Sequence, residues 1–235
     1  MQISTELTVM NQKFLITIDG PAGSGKTTVS RLLAQRLSCT YVDTGALYRG
    51  IALAAQRAGI SPEDENALKS MCQTLHLCFV RNEKEQRLLL NGEDVSDLIR
   101  TPEMSMMASA VSAKAAVRDF LLGVQRNMRA EKGLVFEGRD MGTVVFPDAD
   151  LKFFLHADLK ERAARRYKEL GNKAGITAEA VEKDMEKRDH NDSSRSIAPL
   201  RPAEDAICID TSTLSVSQVV EQMLHCLSHA FDLKI

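Results

Sequence analysis

The chain carries the segment IDGPAGSGKTTVS at residues 18–30. Residues 20–27 of this segment match the pattern G-x-x-x-x-G-K-[ST]. The apolar run FLITI at 14–18 precedes the pattern and predicts a strand, and VSRLLAQRL at 29–37 follows it with apolar side chains at helical spacing. Because this pattern binds phosphate when it lies between a strand and a helix, the sequence predicts a nucleotide-binding loop.

The residue types of the loop suit a phosphate ligand. Small residues let backbone N–H groups approach phosphate oxygens, and the helix N-terminus adds about half a positive charge. Lys26 would bring a full charge to the β- and γ-phosphates, and the Thr27 hydroxyl would help to ligate Mg²⁺. The predicted ATP- and phosphate-binding residues of the loop are Gly20, Pro21, Ala22, Gly23, Ser24, Gly25, Lys26, Thr27 and Thr28.

Composition limits the possible partners. The chain has 235 residues, a formal net charge of −2 and a pI near 6.2, so no global positive field would attract nucleic acid or an anionic membrane. No stretch approaches the roughly 18 apolar residues of a membrane span. The five cysteines show no C-x-x-C pair, which favours reduced thiols over disulfides or a zinc site. We expect a cytoplasmic monomer with small-molecule substrates, no nucleic-acid or membrane partner, and a flexible extension at residues 1–12.

Four further short apolar runs predict the rest of a parallel sheet. They are TYV at 40–42, LVF at 134–136, LKFFL at 151–155 and AICI at 206–209. Most are followed by a polar or glycine-containing turn and then by a helical pattern. This alternation is typical of an α/β fold.

About 90 residues separate TYV at 40–42 from LVF at 134–136, which is too many for a plain crossover helix and predicts an inserted subdomain. LHLCFV at 75–80 and RLLLNGEDV at 87–95 predict two antiparallel strands joined by the charged turn NEKEQ. Ser61-Pro62-Glu63 and Thr101-Pro102-Glu103 each predict a helix start, with an N-cap, a proline in the first turn and an acidic residue.

Two arginines follow predicted strands. Arg49 lies in VDTGALYRG at 42–50, and Arg139 lies in EGRDMGT at 137–143. Ligands of parallel sheets bind at the carboxyl ends of the strands, so both arginines are expected near the phosphate loop. A guanidinium grips phosphate oxygens in two places, and we predict that Arg49 and Arg139 bind the phosphate of a second substrate.

A charged helical segment at 160–201 predicts a flap over the loop. Its Arg162, Arg165 and Arg166 share one helix face, so closure could bring a cationic stripe onto a triphosphate and exclude water. The alternative is a solvated helix face, on which these arginines pair with Glu161 and Glu169.

Several longer motifs resemble those of the bacterial cytidylate kinases, which are P-loop proteins of the nucleoside monophosphate kinase group. The phosphate loop is common to many families, whereas EGRDMGTVVFPDA and the D-x-x-R-x-x-A-P-L ending of the flap are more specific. The matching segments are IDGPAGSGKTT at 18–28, VDTGALYRG at 42–50, EDVSDLIRTPE at 93–103, EGRDMGTVVFPDA at 137–149, ERAARR at 161–166, KRDHNDSSRSIAPL at 187–200 and AICIDTSTLS at 206–215.

The resemblance implies an α/β P-loop fold of three layers with a five-stranded parallel sheet. It also implies an inserted NMP-binding subdomain with a small antiparallel sheet, and a helical lid. On this basis a single kinase domain would consist of a core at about 13–43, 114–160 and 202–235, an NMP-binding insert at about 44–113 and a lid at about 161–201.

The activity implied by the resemblance is Mg²⁺-dependent transfer of the γ-phosphoryl group of ATP to CMP or dCMP. Lys26, Arg49 and Arg139 would be catalytic, and Arg162 and Arg166 would bind ATP. Asp140 would accept a hydrogen bond from the cytosine amino group, where the carbonyl of uracil would face acceptor against acceptor. The implied CMP-binding residues are Thr44, Arg49, Ser109, Arg118, Arg139, Asp140, Arg188, Asp192 and Arg195.

Three other functions are weighed against this one. A GTPase switch is disfavoured, because Asn172-Lys173-Ala174-Gly175 lacks the aspartate of a guanine-binding N-K-x-D motif. A tRNA prenyl transferase would need an RNA-binding surface, which the charge balance does not supply. A nucleotide-gated interaction module would bind ATP but ignore CMP.

Overall fold

The computed structural model describes residues 14–81, 86–130, 133–171 and 177–231. These residues form two units. The first unit comprises residues 14–42, 133–171, 177–194 and 198–231. The second unit comprises residues 43–81, 86–130 and 195–197. The predicted extension at 1–12, residues 82–85 of the charged turn, and the segment at 172–175 lie outside the described residues.

Strands and helices alternate near the beginning and the end of the described chain, whereas strands and helices come in groups in its middle part. The strands are β1 Leu15–Asp19, β2 Thr40–Asp43, β3 Leu77–Arg81, β4 Gln86–Leu90, β5 Glu93–Asp94, β6 Leu134–Glu137, β7 Leu151–His156 and β8 Ile207–Asp210. The helices are α1 Lys26–Arg36, α2 Thr44–Arg57, α3 Glu65–Cys72, α4 Pro102–Val111, α5 Ala115–Asn127, α6 Leu159–Leu170, α7 Ala178–Ser194 and α8 Val216–Phe231. A 3₁₀ turn lies at Met128–Ala130 and a π-helical turn at Met141–Val145.

The first unit is built on a parallel sheet whose strands lie in the order β2-β6-β1-β7-β8. β1 pairs in parallel with β6 and β7, and β7 pairs in parallel with β8. In this register Ile18 lies beside both Glu137 and Phe153. The carboxyl ends of three strands therefore meet at one edge of the sheet. The predicted five-stranded parallel sheet of an α/β P-loop fold is confirmed.

Apolar packing fixes the helix that follows the loop. All five residues of β1 are buried. Its Ile16 and Ile18 pack in one cluster with Val29 and Leu33 of α1 and Val220 of α8. Burying a side chain of this size contributes roughly 1.5–3 kcal/mol relative to leaving it exposed. The cluster therefore holds α1, and the loop before it, against the sheet.

The second unit contains a three-stranded sheet in the order β3-β4-β5, and both of its strand pairs are antiparallel. The predicted pairing of the strands at 75–80 and 87–95 is confirmed. The expectation that 87–95 forms one strand is wrong, because the chain turns at Asn91-Gly92. Their φ angles of 51° and 87° are those of a two-residue hairpin turn, which Asn-Gly favours.

Of the two predicted helix starts, one is confirmed. Thr101 caps α4, because its Oγ1 accepts a hydrogen bond from Met104 N at 3.1 Å. The start at Ser61 is wrong, because α3 begins later, with Asp64 as its N-cap; the Asp64 carboxylate accepts from Ala67 N at 2.9 Å. The Ser61 hydroxyl instead accepts from Glu63 N in the preceding turn.

Helix α5 packs within the second unit. Val117 and Leu121 of this helix are fully buried in a cluster with Leu47 and Ile51 of α2. The predicted core includes a segment that begins at about residue 114, whereas the second unit of the structure continues to residue 130. Helices α6 and α7 belong to the first unit. The division into core, insert and lid remains a prediction.

Candidate functional site

The phosphate loop joins β1 to α1, and its lysine is folded back onto it. Lys26 is the first residue of α1 and only 5% exposed. Its Nζ donates to the Pro21 carbonyl and to Ser24 Oγ, the latter at 3.2 Å. The Ser24 hydroxyl donates to the same Pro21 carbonyl at 3.0 Å. The ammonium group is thus held by oxygens of the loop itself.

Side chains from distant segments bind two other carbonyls of the loop. Arg162 of α6 donates to Ala22 O at 3.1 Å, and Thr211, just after β8, donates to Ser24 O at 3.0 Å. Arg162 is itself held by the Asp189 carboxylate of α7. These bonds fix the conformation of the loop from outside.

Two glycines of the loop cannot be replaced without conflict. At Gly20, where φ is 145°, an added Cβ would lie 2.0 Å from Leu155 O. At Gly23, where φ is 72°, it would lie 2.8 Å from Met185 Cε and 3.0 Å from Arg162 Cβ. Both positions have a φ that side chains disfavour. The loop therefore needs glycine for conformation and for space.

Charged side chains of both signs act on Lys26. Burial lowers the pKa of the Lys26 ammonium, and the guanidinium groups of Arg139 and Arg188 lower it further. The carboxylates of Glu137 and Asp19 act on this pKa in the opposite direction. A phosphate anion placed here would favour the protonated lysine, so the arrangement suits a strongly anionic ligand.

Glu137 ends β6 and lies beside the residue predicted to ligate Mg²⁺. The Thr27 hydroxyl donates to Glu137 Oε1 at 2.8 Å. Glu137 is buried, and Thr27 is exposed. Glu137 belongs to the segment that the sequence placed near the loop, but sequence reasoning gave it no role of its own.

Arg139 and Asp192 form an ion pair within the first unit. Arg139 Nε donates to Asp192 Oδ2 at 3.1 Å, and Asp192 is 4% exposed. Asp140, the next residue after Arg139, is also buried. The guanidinium groups of Arg139 and Arg188 act electrostatically on the loop lysine. The assignment of these residues to CMP remains a prediction.

Asp19, at the end of β1, is a further buried carboxylate that sequence reasoning missed. Its two oxygens accept hydrogen bonds from the backbone N–H groups of Met141 and Gly142, at 2.9 and 2.7 Å. Burial raises the pKa of Asp19 to about 6, and the Asp140 charge adds to this, whereas the two backbone bonds and Lys26 act against it. The carboxylate therefore joins β1 to the π-helical turn.

The three arginines of α6 have different partners. Arg162 is buried and reaches the loop, as described above. Arg165 donates instead to the carbonyls of Thr211 and Ser212. Arg166 is paired with Glu169 at 3.1 Å, which is the alternative considered for this face. A contact between Arg166 and ATP remains a prediction.

In the second unit, Arg49 is held at the start of α2. It donates to Asp43 Oδ2 at 2.8 Å. The other oxygen of Asp43 caps the helix by accepting from Ala46 N at 3.1 Å. Thr44, the first residue of α2, is buried. One carboxylate therefore places both the helix start and the Arg49 guanidinium.

Three other predicted residues of the second unit meet at Ser112, which sequence reasoning did not select. Arg118 donates to Ser112 O at 3.1 Å, and Arg195 donates to Ser112 Oγ at 3.2 Å. The Ser112 hydroxyl donates to Ser109 O at 2.8 Å. The Arg118 guanidinium also lies 5.8 Å from the centre of the Tyr48 ring.

Ser109 carries a buried hydroxyl group. Within the described ranges, its Oγ has no hydrogen-bond partner. A buried hydroxyl without a partner is unfavourable, and a ligand with a polar edge would relieve this cost.

The phosphate loop connects β1 of a five-stranded parallel sheet to α1, and Lys26 stands where the loop meets the helix. This arrangement defines a P-loop nucleotide-binding protein. The family model described as Cytidylate kinase matches residues 16–229, from β1 to near the end of α8. The chain therefore belongs to the cytidylate kinase family, and the resemblance drawn from its motifs is confirmed.

Individual relatives agree with the family model. The Cytidylate kinase of Syntrophotalea carbinolica is 50% identical over 220 residues, covering 93% of this chain and 94% of that protein. The Cytidylate kinase of Geobacter sulfurreducens is 50% identical over 210 residues, with coverages of 89% and 90%. A solved structure of an uncharacterized protein from Eubacterium ventriosum shares the fold alone, with a TM-score of 0.52, 12% identity and coverages of 92% and 99%. In the described part of the chain, no helix is both long and apolar enough to span a membrane.

Proposed function

We propose that this protein is a (d)CMP kinase, which transfers the γ-phosphoryl group of ATP to CMP or dCMP and yields ADP with CDP or dCDP. The observation that carries the proposal is the cluster of basic side chains at the loop, in which Arg139 and Arg188 act electrostatically on the buried Lys26. Two phosphorylated substrates repel each other, and this cluster would offset that repulsion. The names of the half-identical relatives support cytidylate as the acceptor.

Alignment and charge stabilisation account for the reaction without a strong general base. The acceptor is itself an anionic phosphate, so little proton removal is needed. Lys26 would bind the β- and γ-phosphates of ATP, and Arg49 and Arg139 would bind the phosphate of CMP. Donors fixed in advance at the transferring group cost little reorganisation when the charge moves.

We assign Mg²⁺ to the oxygens of Thr27 and Glu137. The fit rests on their direct hydrogen bond at 2.8 Å, which places a hydroxyl and a buried carboxylate together beside the loop. Mg²⁺ prefers such oxygen ligands and keeps several waters when it binds nucleotides. When bound, the ion would neutralise charge on the phosphate oxygens.

We assign the base of the acceptor to Asp140, Ser109 and Arg118. The unpartnered Ser109 hydroxyl and the Arg118 guanidinium would serve the O2 and N3 acceptors of cytosine. The Asp140 carboxylate would accept from its amino group. UMP would face the carboxylate with a carbonyl oxygen, and an unmatched buried polar pair costs about 1–3 kcal/mol. Arg188, Asp192 and Arg195 would serve the sugar and its neighbouring groups.

The remaining assignments complete the proposal. The second unit would bind the acceptor, and helices α6 and α7 would act as the lid. The lid would bind ATP through Arg162 and Arg166. We expect a cytoplasmic monomer.

A substrate panel tests the function. ADP formation from ATP is measured with CMP, dCMP, UMP, AMP or no acceptor. A (d)CMP kinase forms ADP rapidly with CMP or dCMP and slowly with the others, whereas a tRNA prenyl transferase or an interaction module ignores CMP. Equal rates with UMP would overturn the role of Asp140, and no response to CMP would overturn the function.

The loop lysine provides a second test. Lys26→Ala is expected to reduce turnover by orders of magnitude and leave the fold intact. The variant lacks the positive charge that would stabilise the β- and γ-phosphates. The matched control is Lys69→Ala, which removes an exposed lysine of α3. Near-normal turnover of Lys26→Ala would contradict the assignment.

A further inference from the structure

The segment from Gly138 to Gly142 is tied to the end of β1 at two points. On one side, Gly138 N donates to Ile18 O at 3.0 Å. On the other side, the N–H groups of Met141 and Gly142 donate to the two carboxylate oxygens of Asp19. Arg139 and Asp140 are the only residues between these two attachments. Their backbone is therefore held by consecutive residues of one central strand.

The Asp19 bonds are the side-chain part of this attachment. The carboxylate is 4% exposed, so water has little access to replace a lost acceptor. Beyond the attachment, the turn continues through Val144 N and Val145 N, which both donate to Asp140 O. Without Asp19, two N–H groups at the start of this turn would lose their acceptors. The segment that carries Arg139 and Asp140 would then keep only its attachment at Gly138.

A charged group is an expensive choice for this position. The other residues of β1 are Leu15, Ile16, Thr17 and Ile18, and none of them is ionisable. Burial raises the pKa of Asp19, so the ionised form is destabilised by its surroundings. A carboxylate does, however, offer what a neutral side chain of its size cannot, because both of its oxygens accept at once.

We propose that Asp19 is a positioning residue for the acceptor nucleotide, which fixes Arg139 and Asp140 through the backbone N–H groups that follow them. This inference rests on the proposed (d)CMP kinase function, in which those two residues bind the phosphate and the base of CMP. In this role Asp19 acts through these backbone N–H groups and needs no contact of its own with the substrate. Its loss would therefore weaken the acceptor site much more than the ATP site.

Asp19→Asn tests this separation. The asparagine keeps the size of the side chain but has one acceptor oxygen, so one of the two N–H groups is left facing an NH₂ donor. Loss of one such hydrogen bond corresponds to roughly a tenfold change in binding affinity. We expect the KM for CMP to rise about tenfold or more while the KM for ATP stays within about twofold. Asp19→Glu, which restores two acceptor oxygens, should recover part of the loss.

Asp150→Asn is the matched control at the other end of the same strand. Asp150 Oδ2 accepts from Leu15 N at 2.7 Å, so this variant also removes a carboxylate that binds backbone N–H beside β1. It should leave the KM for both substrates unchanged. Thermal unfolding of both variants shows whether each is folded under the assay conditions.

The outcomes separate the inference from the function on which it rests. If the wild-type protein does not respond to CMP, the proposed function fails. If it does respond, an unchanged KM for CMP in Asp19→Asn, or equal rises for CMP and ATP, would overturn the positioning role alone. If Asp19→Asn does not fold, Asp19→Ser is measured in its place; failure of both to fold would give Asp19 a purely structural role and overturn the proposal.

Discussion

The free energy of unfolding should depend on pH through Asp19. The pKa of Asp19 is raised in the folded protein from its ordinary value of 3.8 to about 6, chiefly by burial. The folded state therefore binds this proton more tightly than the unfolded chain does. Between the two values the native protein holds more protons, so this group's contribution to stability falls as the pH rises from about 4 to 6 and is level above that.

The size of the effect follows from the shift. A rise of about 2 units corresponds to about 3 kcal/mol, at 1.36 kcal/mol per unit. The side chain is almost fully buried, so solvent screening does not reduce this figure much. Between pH 4.5 and 7.5 the wild-type protein should lose about 2 kcal/mol of this contribution, because part of the change occurs below pH 4.5.

Urea unfolding of the wild type and of Asp19→Asn measures this quantity. The other titrating groups are common to both proteins, so the difference between their unfolding free energies isolates Asp19. Asp140 and Lys26 face this carboxylate, and their coupling to it is contained in the same difference. The difference should change by about 2 kcal/mol across this range, with the wild type relatively more stable at low pH. Parallel curves, or a change of the opposite sign, would refute the reasoning.

Three other substitutions have expected outcomes. Gly20→Ala should cost about 3 kcal/mol or more, because its Cβ would meet Leu155 O at 2.0 Å. Gly59→Ala, at a φ of 66° and with open space around the added Cβ, should cost only about 1–2 kcal/mol. Equal melting temperatures of the two variants would contradict this. Thr101→Ala should destabilise the protein by about 1 kcal/mol through loss of the α4 cap, whereas Thr101→Ser should be nearly neutral. Urea unfolding measures both variants, and an equal loss of stability in both would show that the hydroxyl is not responsible. Arg162→Lys should raise the KM for ATP several-fold and leave the KM for CMP unchanged, because a single ammonium cannot hold the loop carbonyl and its other acceptors together; an unchanged KM for ATP would show that this contact does not shape the loop.

The sequence predicted the parts of the fold whose signals are local. The phosphate loop and the five strands of the parallel sheet are contiguous patterns, and each of them lies where it was expected. The start of α4 followed from Thr101 and the proline after it. The hairpin turn at Asn91-Gly92 had a clear local signal, but the apolar run before the turn favoured one strand over 87–95. At Ser61 the pattern of a cap was present, but Asp64 formed the stronger one.

The parts of the site that were missed depend on partners far away in the chain. Asp19 binds N–H groups more than a hundred residues later, and Thr27 and Glu137 are 110 residues apart. Ser112 has ordinary neighbours in sequence, and its importance comes only from the arginines that reach it. Helical spacing correctly placed the arginines of α6 close together, but it could not show which of them faces the loop.

The lowered pKa of the buried Lys26 has a consequence for its chemical reactivity. A lysine with a lowered pKa carries more of the free amine at neutral pH, and the free amine is the form that attacks acylating reagents and aldehydes. Its burial beneath the loop would favour small anionic reagents over bulky neutral ones. A bound triphosphate would both protonate and shield this amine, so modification of Lys26 would report directly on occupancy of the loop.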